Sequence, residues 1–247
     1  MSETIIVVPC YNEAERLPVE TFQGFVRRTH GIRFLFVDDG STDATGGVLR
    51  ALKASDPGCF DVHTLEANAG KGEAVRRGFL AALESDPDYV GFWDADLATP
   101  LEAIREFQGV LDGRPDIEMA FGARVRLLGR AIRRNRLRHL LGRLFAITAS
   151  LFLRVDIYDT QCGAKLFRVT PDLAALFKEP FATRWIFDVE IIARLMRART
   201  ATERPQVRDI VYEVPLSEWR DAAGSKIRFR DFVIAIFGMI EICRKYR

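Results

Sequence analysis

A chain of 247 residues, 48% apolar and 28% charged, has an ordinary globular balance and enough length to bury a full core. Its formal net charge of +2 hides an uneven spread, with nine arginines and no acid between Glu118 and Asp156. The four scattered cysteines, Cys10, Cys59, Cys162 and Cys243, form neither a CxxC pair nor a zinc spacing, which argues against a disulfide framework or a structural zinc and suits a reducing cytoplasm.

The first residues, MSETIIVVPCYNE, lack a basic leader and carry too short an apolar run for a signal peptide or a spanning helix, so export is not expected. TIIVV (4–8) reads as a strand and runs into PCYNEAE, with a helical pattern near 18–30. RFLFV (33–37) is the next strand. It ends in DDGSTD before a helix near 42–54, for which Ser41 or Thr42 is the expected N-cap. DVHTL (61–65), then EANAGKG and a helix near 71–85, repeat the unit. YVGFW (89–93), DADLATP, a helix near 100–112 and a fifth strand IEMAF (117–121) follow. Strands alternating with helices predict an α/β fold whose mostly parallel sheet is flanked by helices, with ligands beyond the carboxyl ends of the strands.

Polar, glycine-rich segments collect at that edge. All such turns favour Gly, Asp, Asn and Ser, and an isolated DxD also suits a helix-capping turn. The density of acids is less ordinary: Glu13, Asp38, Asp39, Asp94 and Asp96 would repel one another unless a cation or a donor-rich ligand offsets them. Asp38 or Asp39 can accept from a base N–H or ribose hydroxyls, as acids do in dinucleotide folds. Asp94 and Asp96 suit Mg²⁺, which takes one or two carboxylates plus phosphate oxygens. GKG at 70–72 lacks the Walker A spacing, which disfavours a P-loop NTPase.

PCYNE (9–13), VDDGSTD (37–43), NAGKGEA (68–74) and DAD (94–96), in this order, resemble the GT-A fold glycosyltransferases of family 2. RLRHLLGRLF (136–145), DTQCGAKLF (159–167), TRWIFDVEI (183–191) and EWRDAAGSKI (218–227) are similar to the dolichyl-phosphate β-glucosyltransferases and their bacterial polyprenyl-phosphate relatives. The resemblance implies a Rossmann-like GT-A fold. It also implies an inverting transfer from a nucleotide sugar, UDP-glucose first, to a polyprenyl phosphate, with Mg²⁺ or Mn²⁺ on Asp94 and Asp96. Carried over by position, Pro9, Tyr11, Asn12, Glu13, Asp38, Asp39, Lys71, Asp94 and Asp96 would bind the nucleotide sugar. Arg124, Arg138, Gln161, Asp188, Trp219 and Lys226 would bind the acceptor, and Asp96, Asp188, Arg124 and Arg138 would serve catalysis. Ala98 stands where the related mannose synthases carry a metal-binding glutamine, and the N-terminal transmembrane helix of eukaryotic members is not expected here. For Glu190, helix-dipole complementarity is as good an account as function.

The arginine-rich stretch RAIRRNRLRHLLGRLFAITASLFL (130–153) joins a basic face to a long apolar one, as interfacial membrane helices do. KIRFRDFVIAIFGMIEICRKYR (226–247) repeats the composition. Its apolar part, Phe232 to Cys243, is interrupted by Glu241 and is too short to span a bilayer. Residues 1–227 therefore read as the catalytic domain, with 124–155 a basic amphipathic segment, and 228–247 as a C-terminal amphipathic helix on the membrane surface. The expected location is cytoplasmic, peripheral on the inner face of the membrane. A nucleic-acid partner is disfavoured because the apolar face exceeds what a groove-binding helix needs. Other readings within enzymes are a sugar nucleotidyltransferase or transfer to a hydroxyl; the exact sugar and the oligomeric state carry no signal.

Overall fold

The computed structural model describes residues 2–133, 136–200, 202–220 and 229–246. In chain order its elements are β1 (Thr4–Cys10), α1 (Val19–Arg28), β2 (Ile32–Asp38), α2 (Thr45–Ser55), β3 (Phe60–Thr64), α3 (Lys71–Leu83), β4 (Tyr89–Trp93), α4 (Ala103–Gly113) and β5 (Met119–Ala123). They continue with β6 (Ala131–Arg133), α5 (Arg136–Leu153), β7 (Ala164–Arg168), α6 (Pro171–Lys178), α7 (Phe187–Arg199), α8 (Val207–Ile210), β8 (Val211–Pro215), β9 (Glu218–Arg220) and α9 (Phe229–Tyr246). The chain divides into two compact units, one formed by Met1–Leu97 with Ala164–Pro180, the other by Ala98–Gly163 with Phe181–Arg247.

In the first unit the strands lie in the order β3-β2-β1-β4-β7. β1 is parallel to β2 and β4, β2 is parallel to β3, and β7 returns antiparallel to β4. Helices cover both faces, so the inner strands are apolar almost throughout rather than alternating. Ile6, Val7, Val8, Phe36, Phe92 and Trp93 are fully buried. Phe22 of α1 meets Phe34 and Phe36 edge-on at 5.1 Å, and Phe79 of α3 stacks on Phe177 of α6 at 4.1 Å. Gly91 lets β7 approach β4, since a β-carbon there would sit 2.5 Å from the Lys165 carbonyl oxygen.

The anticipated strands and helices of this unit form with ends moved by up to a few residues. One cap differs. α2 starts at Thr45, and neither Ser41 nor Thr42 caps it, because both are engaged with Asn12 of the preceding loop. The turn before the helix is instead closed by Asp43, whose Oδ1 accepts from Thr45 N and Oγ1 at 2.9 and 2.5 Å.

The second unit pairs β5 with β8 and β6 with β9, both parallel. α7 is buried on nearly every side, from Phe187 to Leu195, and α9 packs against it and against α5. Glu190, fully buried in α7, joins these helices: its Oε1 accepts from Arg194 Nη2 at 2.8 Å and from the Tyr246 hydroxyl at 2.8 Å, and its Oε2 from Ala182 N at 2.8 Å. That network gives Glu190 a structural role.

Candidate functional site

The loops after β1 and β2 are laced together. Asn12 adopts a left-handed φ of 53°, which asparagine tolerates. Its N–H donates to Ser41 Oγ at 3.0 Å, while its Oδ1 accepts from Thr42 N at 2.9 Å. Glu13 N donates to Thr45 Oγ1 at 2.8 Å. Pro9 pairs with Val37 inside the sheet, and Tyr11 is exposed.

The two acids ending β2 divide their work. Asp39 accepts the N–H groups of Ala69 and Gly70 at 2.7 and 2.9 Å, and so holds the loop that leads into α3. Asp38, also buried, accepts Ser41 N through Oδ1 at 3.0 Å and leaves Oδ2 without a hydrogen bond among the described residues. Gly40, at φ 65°, permits this crossing, because a β-carbon there would lie 2.5 Å from the Ala67 carbonyl carbon.

Lys71 opens α3, and its Nζ lies 2.5 Å from Asp94 Oδ1 beyond β4. Asp96 is exposed two residues on, just before Leu97, whose φ of 50° turns the chain away. A positive φ is costly for leucine and marks a position held by its surroundings. Glu13 has one oxygen on Arg16 at 2.8 Å and a second that is buried without a hydrogen-bond partner. Burial raises its pKa above the ordinary value, Arg16 opposes that, and the Asp96 charge adds to it. β1 neighbours both β2 and β4, so these groups gather where the strand order reverses, the usual place for a ligand in such sheets.

The first unit suits a divalent cation. Two carboxylates stand one residue apart, and the charge of Asp96 helps to raise the pKa of Glu13. Among the described residues no three metal-ligating side chains converge. A cation here would complete its shell with ligand phosphate oxygens, which is how Mg²⁺ is usually held.

In the second unit Arg124 follows β5, but its fork is already engaged. Nε and Nη2 donate to Asp159 Oδ2 and Oδ1 at 2.6 and 2.7 Å, and its backbone N–H adds a third bond at 3.1 Å. The guanidinium lies 5.2 Å over the ring of buried Trp219 in β9. Glu213 of β8 fixes the other side, accepting from Tyr158 N and Asp159 N at 2.8 Å each. Gln161 N donates to Asp159 at 3.2 Å, while its side-chain Nε2 is buried without a partner. Asp188 is buried in the first turn of α7. Arg138 belongs to α5, its side chain lying outside the described residues, as does the whole of Lys226.

Asp159 and Glu213 were not among the residues expected at the site. Asp159 lies inside the DTQCG stretch singled out above, but Glu213 sits 54 residues further along, in a strand with no motif of its own.

The second unit also carries exposed apolar side chains. Leu144, Ile147 and Leu151 share a face of α5, Ile234 and Phe237 a face of α9, and Trp185 is exposed just before α7. Among the described residues no helix is long and apolar enough to cross a membrane.

Residues 5–175 match the profile of Glycosyl transferase family 2. The dolichyl-phosphate beta-glucosyltransferase of Saccharomyces cerevisiae is 32% identical over 244 residues, covering 90% of this chain and 68% of that protein. The polyprenol monophosphomannose synthase of Mycolicibacterium smegmatis is 28% identical, covering 96% and 87%. The crystal structure of glucosyl-3-phosphoglycerate synthase from Mycobacterium tuberculosis, in complex with Mn²⁺, uridine diphosphate and glucosyl-3-phosphoglycerate, superposes with a TM-score of 0.66 at 18% identity, covering 98% of this chain and 80% of that one. That likeness is one of fold, of the GT-A kind.

Proposed function

The chain belongs to glycosyl transferase family 2, and from that premise we propose that it moves glucose from UDP-glucose to a polyprenyl phosphate at a membrane surface, with inversion. The observation that carries the donor half is the gathering of Glu13, Asp38, Lys71, Asp94 and Asp96 at the carboxyl ends of β1, β2 and β4. The acceptor class is supported by relatives named for dolichyl and polyprenol phosphates.

In this reading Asp38 accepts from the base or ribose, and Lys71 pairs with the diphosphate. Asp94 and Asp96 hold Mg²⁺ or Mn²⁺, which when bound offsets the charge of the departing diphosphate. Arg124, kept in place by Asp159 and Trp219, is the arm offered to the acceptor phosphate, and the unpaired Nε2 of Gln161 is a further donor. A phosphomonoester, with a second pKa of about 6, is already largely ionised at neutral pH. Its oxygen attacks the anomeric carbon while UDP leaves from the opposite face, and no strong base is required. Asp188 would act as a base only if the acceptor were a hydroxyl. The exposed faces of α5 and α9 lie on the lipid headgroups, helped by the neighbouring arginines.

The test is to incubate the protein with Mn²⁺ or Mg²⁺, a short polyprenyl phosphate and a panel of nucleotide sugars that includes GDP-mannose, and to identify products by mass. Polyprenyl phosphoglucose from UDP-glucose is expected. A mannosyl product would reassign the donor, and transfer only to hydroxyl acceptors would overturn the acceptor class.

A further inference from the structure

Lys71 holds an unusual position for a lysine. Its Nζ meets Asp94 Oδ1 at 2.5 Å although each side chain is 36% exposed. Fixing a long side chain in water costs rotamer entropy, so such a pair persists when the backbone aims it. Here the backbone does: Asp39 grips the N–H groups of Ala69 and Gly70, and Gly70, at φ 96°, turns the chain into the helix that Lys71 begins. Nζ also lies over the buried Phe92 ring, 5.8 Å from its centroid. The ammonium thus neutralises one carboxylate of a cluster in which the Asp96 charge already raises the pKa of Glu13.

We infer that Lys71 is an exchangeable counter-ion, which occupies Asp94 while the donor is absent and gives it up to the divalent cation when a nucleoside diphosphate arrives. The inference rests on reading Asp94 and Asp96 as cation ligands. A cation on the Asp94 oxygens and an ammonium at the same carboxylate repel each other. Without a nucleotide, a cation must therefore displace Lys71 with no new partner for it. With a diphosphate present, the ammonium transfers to phosphate oxygens, its natural partners. Cation and nucleotide then favour each other's binding, and by linkage the coupling is reciprocal.

The experiment measures Mn²⁺ binding to the full chain by electron paramagnetic resonance, with and without UDP. Without UDP, Lys71→Met is expected to bind Mn²⁺ about fivefold more tightly than wild type, the factor expected on removing a part-exposed ion pair. Addition of UDP should tighten Mn²⁺ binding less in the variant than in wild type. Lys71→Gln, which keeps a polar head without charge, should behave in the same way. Unchanged or weaker Mn²⁺ binding by either variant in the absence of UDP overturns the exchange. Asp96→Asn separates this from the underlying reading: if it binds Mn²⁺ as wild type does in the presence of UDP, the cation site itself is lost and the exchange with it.

Discussion

Asp96 is exposed, so Asp96→Asn should abolish Mn²⁺-dependent UDP binding and turnover while leaving the unfolding temperature unchanged; calorimetry with and without Mn²⁺ checks both. Glu13 gives a pH prediction. Its folded pKa lies above the ordinary 4.5, chiefly through burial, so ionising it weakens the folded state. That weakening is absent below pH 4.5 and complete once the pH has risen past the raised folded value. Glu13→Gln should therefore raise the metal-free melting temperature at pH 7 and give no gain at pH 4, and an equal gain at both would rule out the carboxylate as the cause. Arg124→Lys keeps a charge but removes the fork that grips Asp159, and with it the orientation of the cation that the proposed reaction offers to the acceptor phosphate. A loss of roughly 100-fold in transfer, as small misplacements can cause, with UDP affinity unchanged, is the expected outcome in assays with polyprenyl phosphate. That Glu13, Asp38, Asp94 and Asp96 would gather at one edge of the sheet was legible in the sequence because each follows a strand in a short motif. The pairing of Arg124 with Asp159 was not, since it joins residues 35 apart, and the expectation of an arginine waiting for phosphate took no account of the carboxylate that orients it.

Among the elements, β1, β2 and β4 could be read because they are buried on both faces and bounded by turn residues, and β3, half-exposed at the sheet edge, because turn residues bound a short β-branched run. β7 could not: AKLFR places a lysine within a short run, and sheet pairing, antiparallel with β4, makes it a strand. β6 and β9 span three residues each, too short for any periodicity. The C-terminal segment was expected as a membrane-surface helix; what the structure shows of α9 is a packing role. Met239 and Ile242 are fully buried, and Tyr246 bonds to Glu190. Deleting α9 would therefore test folding rather than attachment. Its exposed face allows a cleaner test: Ile234→Ser with Phe237→Ser, or Leu144→Ser with Ile147→Ser on α5, should lower sedimentation with anionic liposomes and leave UDP binding intact. Glu190→Ala leaves buried Arg194 without its carboxylate and should cost about 3–5 kcal/mol of stability, read from denaturant unfolding.

On the scale of the whole chain, the first unit is discontinuous, since residues 1–97 are completed only by 164–180. A fragment ending at Leu97 would leave Phe79 without the Phe177 ring it stacks on, and β4 without the β7 edge. Such a fragment should bind hydrophobic dyes and lack the cooperative unfolding of the intact protein. Sequence reading did not reveal this arrangement because the alternation of strand and helix runs unbroken to β5, past the point where the chain leaves the first unit. During translation the same arrangement imposes a delay. At ordinary rates of synthesis the ribosome needs roughly 4 to 17 s to travel from Leu97 to Pro180. Throughout that interval the nascent chain carries an unpaired β4 edge and a bare aromatic face on α3, the kind of surface that chaperones recognise.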